Sequence, residues 1–192
     1  MARIVLASRS PRRQELLHRI GIDDFTILVP EADESYPDGL TPEEVVSHIS
    51  RAKAIAARKI TEPDDVVITA DTMVFLDDKR LGKPHDETEA LAMLTALSGR
   101  EHTVCTGVTV LQGGKILTRA QSTAVHFREA TEEELWGDIR SGEPMDKAGA
   151  YAVQGLGALL VKGIEGDFFN VMGLPLLLLS EMLTEFGFSF LK

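Results

Sequence analysis

The sequence predicts an α/β fold built on a mixed β-sheet with flanking helices. Over roughly the first half of the chain, short apolar segments alternate with amphipathic ones, a pattern typical of strands joined by crossover helices. Further on, two strand-like segments flank Gly113-Gly114, which indicates a β-hairpin. Because crossover connections and hairpins both occur, a mixed sheet is favoured over a purely parallel one.

Helix starts are marked by capping residues. Pro11 suits the first position of the first helix, and Gly21 suits its end. The predicted N-caps, three of them with a glutamate at the capping-box position, are Ser10, Thr41 with Glu44, Asp86 with Glu89, and Thr131 with Glu134. The predicted helices span 11–20, 42–60, 87–97, 132–140 and 175–186.

Short apolar and partly β-branched segments predict the strands. These are Arg3–Ser8, Phe25–Val29, Asp65–Ala70, a hairpin of Met73–Leu76 with Arg80-Leu81, 102–112, 115–127 and Ala158–Lys162. Residues 30–41 and 141–157 are rich in proline, glycine and turn-forming residues and are predicted as loops.

Composition excludes several classes of protein. The 192 residues suit one large domain or two small lobes, and 44% hydrophobic residues suffice for a core. A net charge of −10 argues against stable nucleic-acid binding. The longest apolar run, 174–179, is far shorter than the roughly 18 residues of a membrane span. The single cysteine, Cys105, excludes an intramolecular disulfide and favours a reducing, cytoplasmic compartment.

The junction of the first strand and first helix predicts an anion site. The Ser8 and Ser10 hydroxyls, unpaired backbone N–H groups and the positive helix terminus meet there, beside Arg12 and Arg13. The alternative is a capped helix with solvated arginines, and the residues alone leave both interpretations open.

Carboxylates and cations elsewhere suit a metal–polyphosphate substrate. Asp71 ends an apolar strand, at the edge where open α/β sheets bind ligands, but a turn aspartate is the alternative. Glu34 belongs to an acidic group that either binds a hard cation or is merely solvated. Lys53, near the buried side of its helix, either extends to solvent or points into a polar pocket. Lys83 follows a turn and can reach a phosphate.

Eight motifs in order resemble the Maf-type nucleoside triphosphate pyrophosphatases. They are LASRSPRRQELL (6–17), EADE (31–34), SRAKA (50–54), ITADTMV (68–74), GKP (82–84), TGV (106–108), GEPMDKAGAYAVQG (142–155) and NVMGLPL (170–176). The resemblance covers nearly the full length. It implies a single Maf-type domain, 1–192, with an elongated mixed sheet like that of the inosine triphosphatases and two lobes around a cleft.

The resemblance also implies hydrolysis of a nucleoside triphosphate to the monophosphate and pyrophosphate, assisted by Mg²⁺ or Mn²⁺. One branch of the family prefers dTTP and UTP, and another acts on 7-methyl-GTP. Arg12, Thr72 and Gln154 match the first branch, where the second has tryptophan, glutamine and glutamate. A glutamine amide can pair with the carbonyls and N3–H of thymine or uracil, although a flipped amide also accommodates cytosine.

From this resemblance we expect water to attack the α-phosphorus, with Asp71 as general base or as the group that orients the water. Glu34 and Asp71 are expected to hold the metal, which leaves the division of roles at Asp71 open. The residues expected to bind phosphate are Ser8, Arg13, Lys53 and Lys83.

The resemblance is compatible with a homodimer and with a role in nucleotide house-cleaning or cell division. Two rival functions stay open at this point. One is a regulatory protein that binds nucleotide or nucleic acid without turnover. The other is a phosphatase or nucleotidase, which releases orthophosphate.

Overall fold

A computed structural model describes residues 2–191, so the two terminal residues of the predicted domain 1–192 lie outside it. The α-helices are α1 (Pro11–Arg19), α2 (Pro42–Arg58), α3 (Glu87–Leu97), α4 (Glu132–Arg140), α5 (Phe168–Met172) and α6 (Leu176–Thr184). The strands are β1 (Ile4–Leu6), β2 (Phe25–Ile27), β3 (Val66–Leu76), β4 (Lys79–Leu81), β5 (Glu101–Gln112), β6 (Lys115–Phe127) and β7 (Val161–Glu165).

The strands form one sheet in the order β2-β1-β3-β5-β6-β7, with β4 paired to β3. Strand β1 runs parallel to β2 and β3, whereas β4 is antiparallel to β3 and β7 is antiparallel to β6. The predicted mixed α/β fold is therefore confirmed. Within residues 2–191, no helix has both the length and the apolar character needed to cross a membrane.

The chain divides into two compact units, neither of which is one continuous segment. The first unit comprises the residues up to Asp71, Thr106–Gln121 and those from Gly173 onward. The second comprises Thr72–Cys105 and Ser122–Met172. Strands β3, β5 and β6 contribute residues to both units. The arrangement of two lobes around a cleft stays a prediction.

The predicted helix starts are confirmed. Each of the four predicted N-cap side chains accepts a hydrogen bond from the backbone N–H three residues later. The capping boxes at Thr41 and Thr131 are complete. The capping box predicted at Asp86 is only half formed. Asp86 caps the helix, but the Glu89 carboxylate accepts a hydrogen bond from the backbone N–H of His85 and not from that of Asp86.

Two predicted strands, Asp65–Ala70 and Met73–Leu76, are one continuous strand, β3. Asp71 consequently lies inside a strand and not at its carboxyl end, which corrects the prediction. The reason is that β1 ends at Leu6, opposite Ile68, whereas β3 continues and pairs with β4 from Val74. Asp71 therefore lies in the part of β3 that extends beyond β1.

The strand predicted over Ala158–Lys162 is displaced. Residues Leu156–Leu159 form a short 3₁₀ helix, and the strand, β7, is Val161–Glu165. A short apolar run is compatible with either structure, which explains the error. Helix α5 was not predicted, and α6 begins after Pro175 as expected.

Helix α2 packs directly on the sheet because Gly107 of β5 has no side chain. The backbone carbonyl of Val46 occupies the space where a Cβ at position 107 would lie. Ser50 fixes the helix further: its hydroxyl lies 3.0 Å from Thr109 Oγ1, and its carbonyl accepts a 2.6 Å hydrogen bond from the Thr69 hydroxyl. These buried contacts set the height and register of α2 on β3 and β5.

Candidate active site

The first unit contains a pocket of about 400 Å³ near the carboxyl end of β1. Its walls come from Ala7–Arg9, Arg13 of α1, the loop that follows β2, Lys53 of α2 and Ala70 of β3. Four predicted site residues line it: Ser8, Arg13, Glu34 and Lys53. The first half of the chain thus brings the predicted anion site and the predicted acidic group to one pocket.

Lys53 points into this pocket, which decides between the two interpretations of its position. Its Nζ lies 2.7 Å from Asp71 Oδ1 and 3.2 Å from Glu34 Oε1. The lysine side chain is only 19% exposed and that of Asp71 only 10%. The single positive charge of Lys53 offsets the charge of the closer carboxylate, so this contact lowers the cost of burying Asp71.

The second oxygen of Asp71 has a different environment. Among the described residues, Oδ2 is buried and has no hydrogen-bond partner. A buried carboxylate oxygen without a donor is costly unless water, a cation or a ligand meets it. Asp71 therefore presents one oxygen that Lys53 satisfies and one that can accept a proton or bind a cation.

The predicted anion site is an ordered junction. Ser8 Oγ accepts hydrogen bonds of 3.2 Å from the Ser10 N–H and from Arg13 Nη1. Arg13 Nε donates to the Gly173 carbonyl at 2.8 Å. Burial lowers the pKa of Arg13 to about 10, against the opposing influence of Asp71, and the group stays charged at neutral pH. The alternative, a capped helix with solvated arginines, is therefore half right. Helix α1 is capped by Ser10, but Arg13 is fixed by contacts with Ser8 and Gly173 and is not solvated.

Glu34, which lines this pocket, and Asp71, which adjoins it through its contact with Lys53, fit a divalent cation that arrives with its ligand. No group of three His, Cys, Asp or Glu side chains within residues 2–191 is arranged to hold a metal by itself. Asp71 and Glu34 nevertheless face the same ammonium group from two sides. Mg²⁺ typically binds one or two carboxylates and completes its shell with phosphate oxygens and water. Metal binding by Glu34 and Asp71 stays a prediction.

The second unit carries the other predicted residues. Thr72 follows Asp71 directly in β3 and is half-buried, while Lys83 is exposed just after β4. Gln154 is exposed at a turn before the 3₁₀ helix Leu156–Leu159. Arg12 belongs to the first unit, at the second position of α1, and is half-buried. The specificity role predicted for Arg12, Thr72 and Gln154 stays a prediction.

Sequence reasoning missed two features of the pocket. Arg9 lines it without having been given a role of its own, and Glu31 lines it although only Glu34 of the same acidic group was chosen as a metal ligand. The carbonyl of Gly173, a glycine with φ of 111°, holds Arg13 from a distant part of the chain. The motif around residues 170–176 was the only signal for that contact.

Known proteins resemble this chain over its full length. The family model described as "Maf-like protein" matches residues 3–186. Relatives named "dTTP/UTP pyrophosphatase" include one from Moorella thermoacetica, 50% identical over 97% of this chain and 96% of that protein. Others come from Pelotomaculum thermopropionicum, 47% identical over 100% of both chains, and Symbiobacterium thermophilum, 45% identical over 98% and 96%.

Among solved structures, a HAM1 protein from Coxiella burnetii aligns with 96% of this chain and 100% of its own. The two are 15% identical with a TM-score of 0.47. A likeness this distant says nothing about the pocket.

Proposed function

We propose, because the chain belongs to the Maf-like protein family, that it is a nucleoside triphosphate pyrophosphatase acting on dTTP and UTP. The products are the nucleoside monophosphate and pyrophosphate. The substrates are suggested by the names of the relatives. The arrangement of Asp71 carries the proposal in the structure, since one carboxylate oxygen contacts Lys53 and the other is buried and unpartnered.

In the proposed reaction a water molecule attacks the α-phosphorus, and the bond to the bridging oxygen of the pyrophosphate breaks. Asp71 Oδ2 accepts the proton of this water or orients it for attack. Lys53 holds the Asp71 carboxylate in place through Oδ1. Ser8, Arg13 and the N-terminus of α1 bind phosphate oxygens, and Lys83 contributes a positive charge to the β- and γ-phosphates.

Mg²⁺ or Mn²⁺, when bound, neutralises phosphate charge and stabilises the departing pyrophosphate. Glu34 and Asp71 are the residues that would hold it, and Lys53 is the cation that now lies between them. Arg12, Thr72 and Gln154 select a pyrimidine base, with the Gln154 amide pairing with the carbonyls and N3–H of thymine or uracil.

The proposal extends to the cellular setting. The protein acts in the cytoplasm, where nucleoside triphosphates are made and used, and where the buried thiol of Cys105 stays reduced. A homodimer and the absence of stable nucleic-acid binding are further parts of the proposal. The net charge of −10 supports the latter.

Product analysis tests the proposed function. The purified protein is incubated with dTTP, UTP, CTP or 7-methyl-GTP, each with Mg²⁺, with Mn²⁺ or with a chelator. We expect dTMP and UMP with stoichiometric pyrophosphate, only when metal is present. Release of orthophosphate without pyrophosphate would indicate a phosphatase, and nucleotide binding without turnover would indicate a regulatory protein.

A further inference from the structure

We propose that Glu143 is a positioning residue that fixes the turn carrying Gln154 and thereby maintains the preference for pyrimidine nucleotides. This role rests on the proposed function, because it concerns how that activity selects its substrate. Glu143 was assigned no role from the sequence. It begins a short 3₁₀ helix, Glu143–Asp146, that packs against α4 in the second unit.

Gln154 is an exposed residue in a tight turn, and the residues that precede the turn are fixed by buried contacts. The Gly155 N–H donates to the Ala152 carbonyl at 3.3 Å, which closes the turn. Tyr151, just before it, is buried, and its hydroxyl lies 2.7 Å from His102 Nε2. Burial lowers the pKa of His102 to about 4, so this contact involves a neutral imidazole at physiological pH.

The other side of the turn is anchored by Glu143. Its Oε2 accepts a 2.9 Å hydrogen bond from the backbone N–H of Leu156, two residues after Gln154. The backbone of Glu143 is itself held, because its N–H donates to Ser141 Oγ at 3.2 Å and its carbonyl accepts from Lys147 Nζ at 2.7 Å. A fixed carboxylate therefore defines where the turn ends.

Gly155 provides the space for this carboxylate. Glu143 Oε2 occupies the position that a Cβ at residue 155 would take. The backbone of Gly155 has φ of −113° and ψ of −150°, an extended conformation that other residues adopt. Backbone strain therefore does not restrict this position, and a Cβ at residue 155 would instead displace the Glu143 carboxylate.

An exposed glutamine can form selective hydrogen bonds with one base only if its backbone is held in place. Without Glu143 the turn keeps its first anchor and loses its second, so the Gln154 amide can no longer face one base edge. Glu143→Ala should therefore raise KM for dTTP and UTP about tenfold, with kcat changed much less. The preference for dTTP over dCTP should fall by a similar factor.

Two variants separate positioning from general damage. Glu143→Gln should restore the KM of the parent, because its amide oxygen can still accept from Leu156. Glu133→Ala removes an exposed acidic residue from α4 and should leave KM and the dTTP/dCTP preference unchanged.

A double-mutant cycle tests the contact itself. Gly155→Ala should displace the Glu143 carboxylate and raise KM about as much as Glu143→Ala does. In the Glu143→Ala background the same methyl group meets no carboxylate, so it should add little further loss. Full additivity of the two substitutions would overturn the proposal.

Two measurements do not depend on turnover. Glu143→Ala should accelerate hydrogen exchange of the Leu156 amide, and it should lower the ratio of dTMP to dCMP affinity measured by calorimetry. Faster exchange with unchanged affinity ratio and KM would overturn the role of Glu143. A parent protein that binds dTMP selectively but never hydrolyses dTTP would instead overturn the proposed function. In that case the ratio of dTMP to dCMP affinity in the parent and in Glu143→Ala would still test the role of Glu143.

Discussion

Lys53 Nζ lies 2.7 Å from Asp71 Oδ1, and this contact gives the two oxygens of Asp71 different environments. Oδ1 meets a positive charge that is itself largely buried. Oδ2 is left without a partner among the described residues. A carboxylate held by one oxygen in this way is fixed in orientation while its other oxygen stays available for chemistry.

Asp71→Asn should preserve the fold and abolish most of the turnover. The change is nearly isosteric, and the amide oxygen can still accept from Lys53, but the group can no longer act as a base or an anionic ligand. We expect kcat for dTTP to fall about 10²–10⁴-fold. Turnover is measured beside the circular dichroism spectrum.

Asp78→Asn is the matched control for Asp71→Asn, since Asp78 is exposed in the turn between β3 and β4. It should retain the rate of the parent. Equal rates for the parent and a folded Asp71→Asn variant would remove Asp71 from the reaction.

Lys53→Met should create a stronger dependence on divalent metal. It leaves the Asp71 and Glu34 carboxylates without their shared cation and Asp71 without its hydrogen-bond donor, so the free energy of unfolding without metal should fall by about 1–3 kcal/mol. Added Mg²⁺ should then raise the melting temperature of the variant more than that of the parent. The exposed Lys59→Met is the control, and identical metal-induced shifts in all three proteins would argue against a cation site between these carboxylates.

Gln154→Glu should selectively impair the use of pyrimidine nucleotides. The carboxylate loses the amide donors and would face the base carbonyls with like-signed charge, a mismatch of about 1–3 kcal/mol. We expect kcat/KM for dTTP and UTP to fall roughly tenfold to a hundredfold. Activity on 7-methyl-GTP need not appear, since Arg12 and Thr72 are retained. Unchanged dTTP efficiency would mean that Gln154 does not contact the base.

Asp138→Asn should stabilise the protein at neutral and alkaline pH. Both carboxylate oxygens of Asp138 are buried without partners in the described part of the chain. Burial raises its pKa from 3.8 to about 6; nearby Glu143 adds to the effect and Lys147 opposes it. The protonated acid therefore suits the fold, and stability is lost as the pH rises through about 6.

Asparagine does not ionise, so the gain in the free energy of unfolding should be about 1–3 kcal/mol above pH 6–7 and should vanish below about pH 4. Urea unfolding at a series of pH values measures it. The exposed Glu133→Gln on the same helix should change stability little at any pH. A gain for Asp138→Asn that is equal at all pH values would show that ionisation is not its cause.

Local chemistry explains which parts of the fold the sequence could predict. The boxes at Thr41 and Thr131 involve neighbouring residues only, so their helix starts were predicted correctly. The continuity of β3 was missed because Asp71 and Thr72 interrupt its apolar pattern, and only the contact from Lys53 shows how the aspartate is accommodated there.

The sequence could predict which residues belong to the candidate site, but not how they contact one another. Ser8, Glu34 and Lys53, which line the pocket, and Asp71, which contacts Lys53, were all candidates from their types and positions. That Lys53 contacts both carboxylates depends on the register of α2 over β3, which residue spacing does not reveal. The Gly173 carbonyl that holds Arg13 lies 160 positions away in the chain, beyond any local pattern.

The absence of a side chain at Gly107 affects the candidate site as well as the packing of α2 on the sheet. Lys53 lies two turns beyond Val46 on the same rigid helix, so the clearance under Val46 also sets the distance from Lys53 to Asp71. Functional sites tolerate displacements of only about 0.5 Å, less than the space that one methyl group needs. The position of Lys53 against Asp71, the carboxylate proposed to act in catalysis, therefore depends on a residue without a side chain in the neighbouring strand β5.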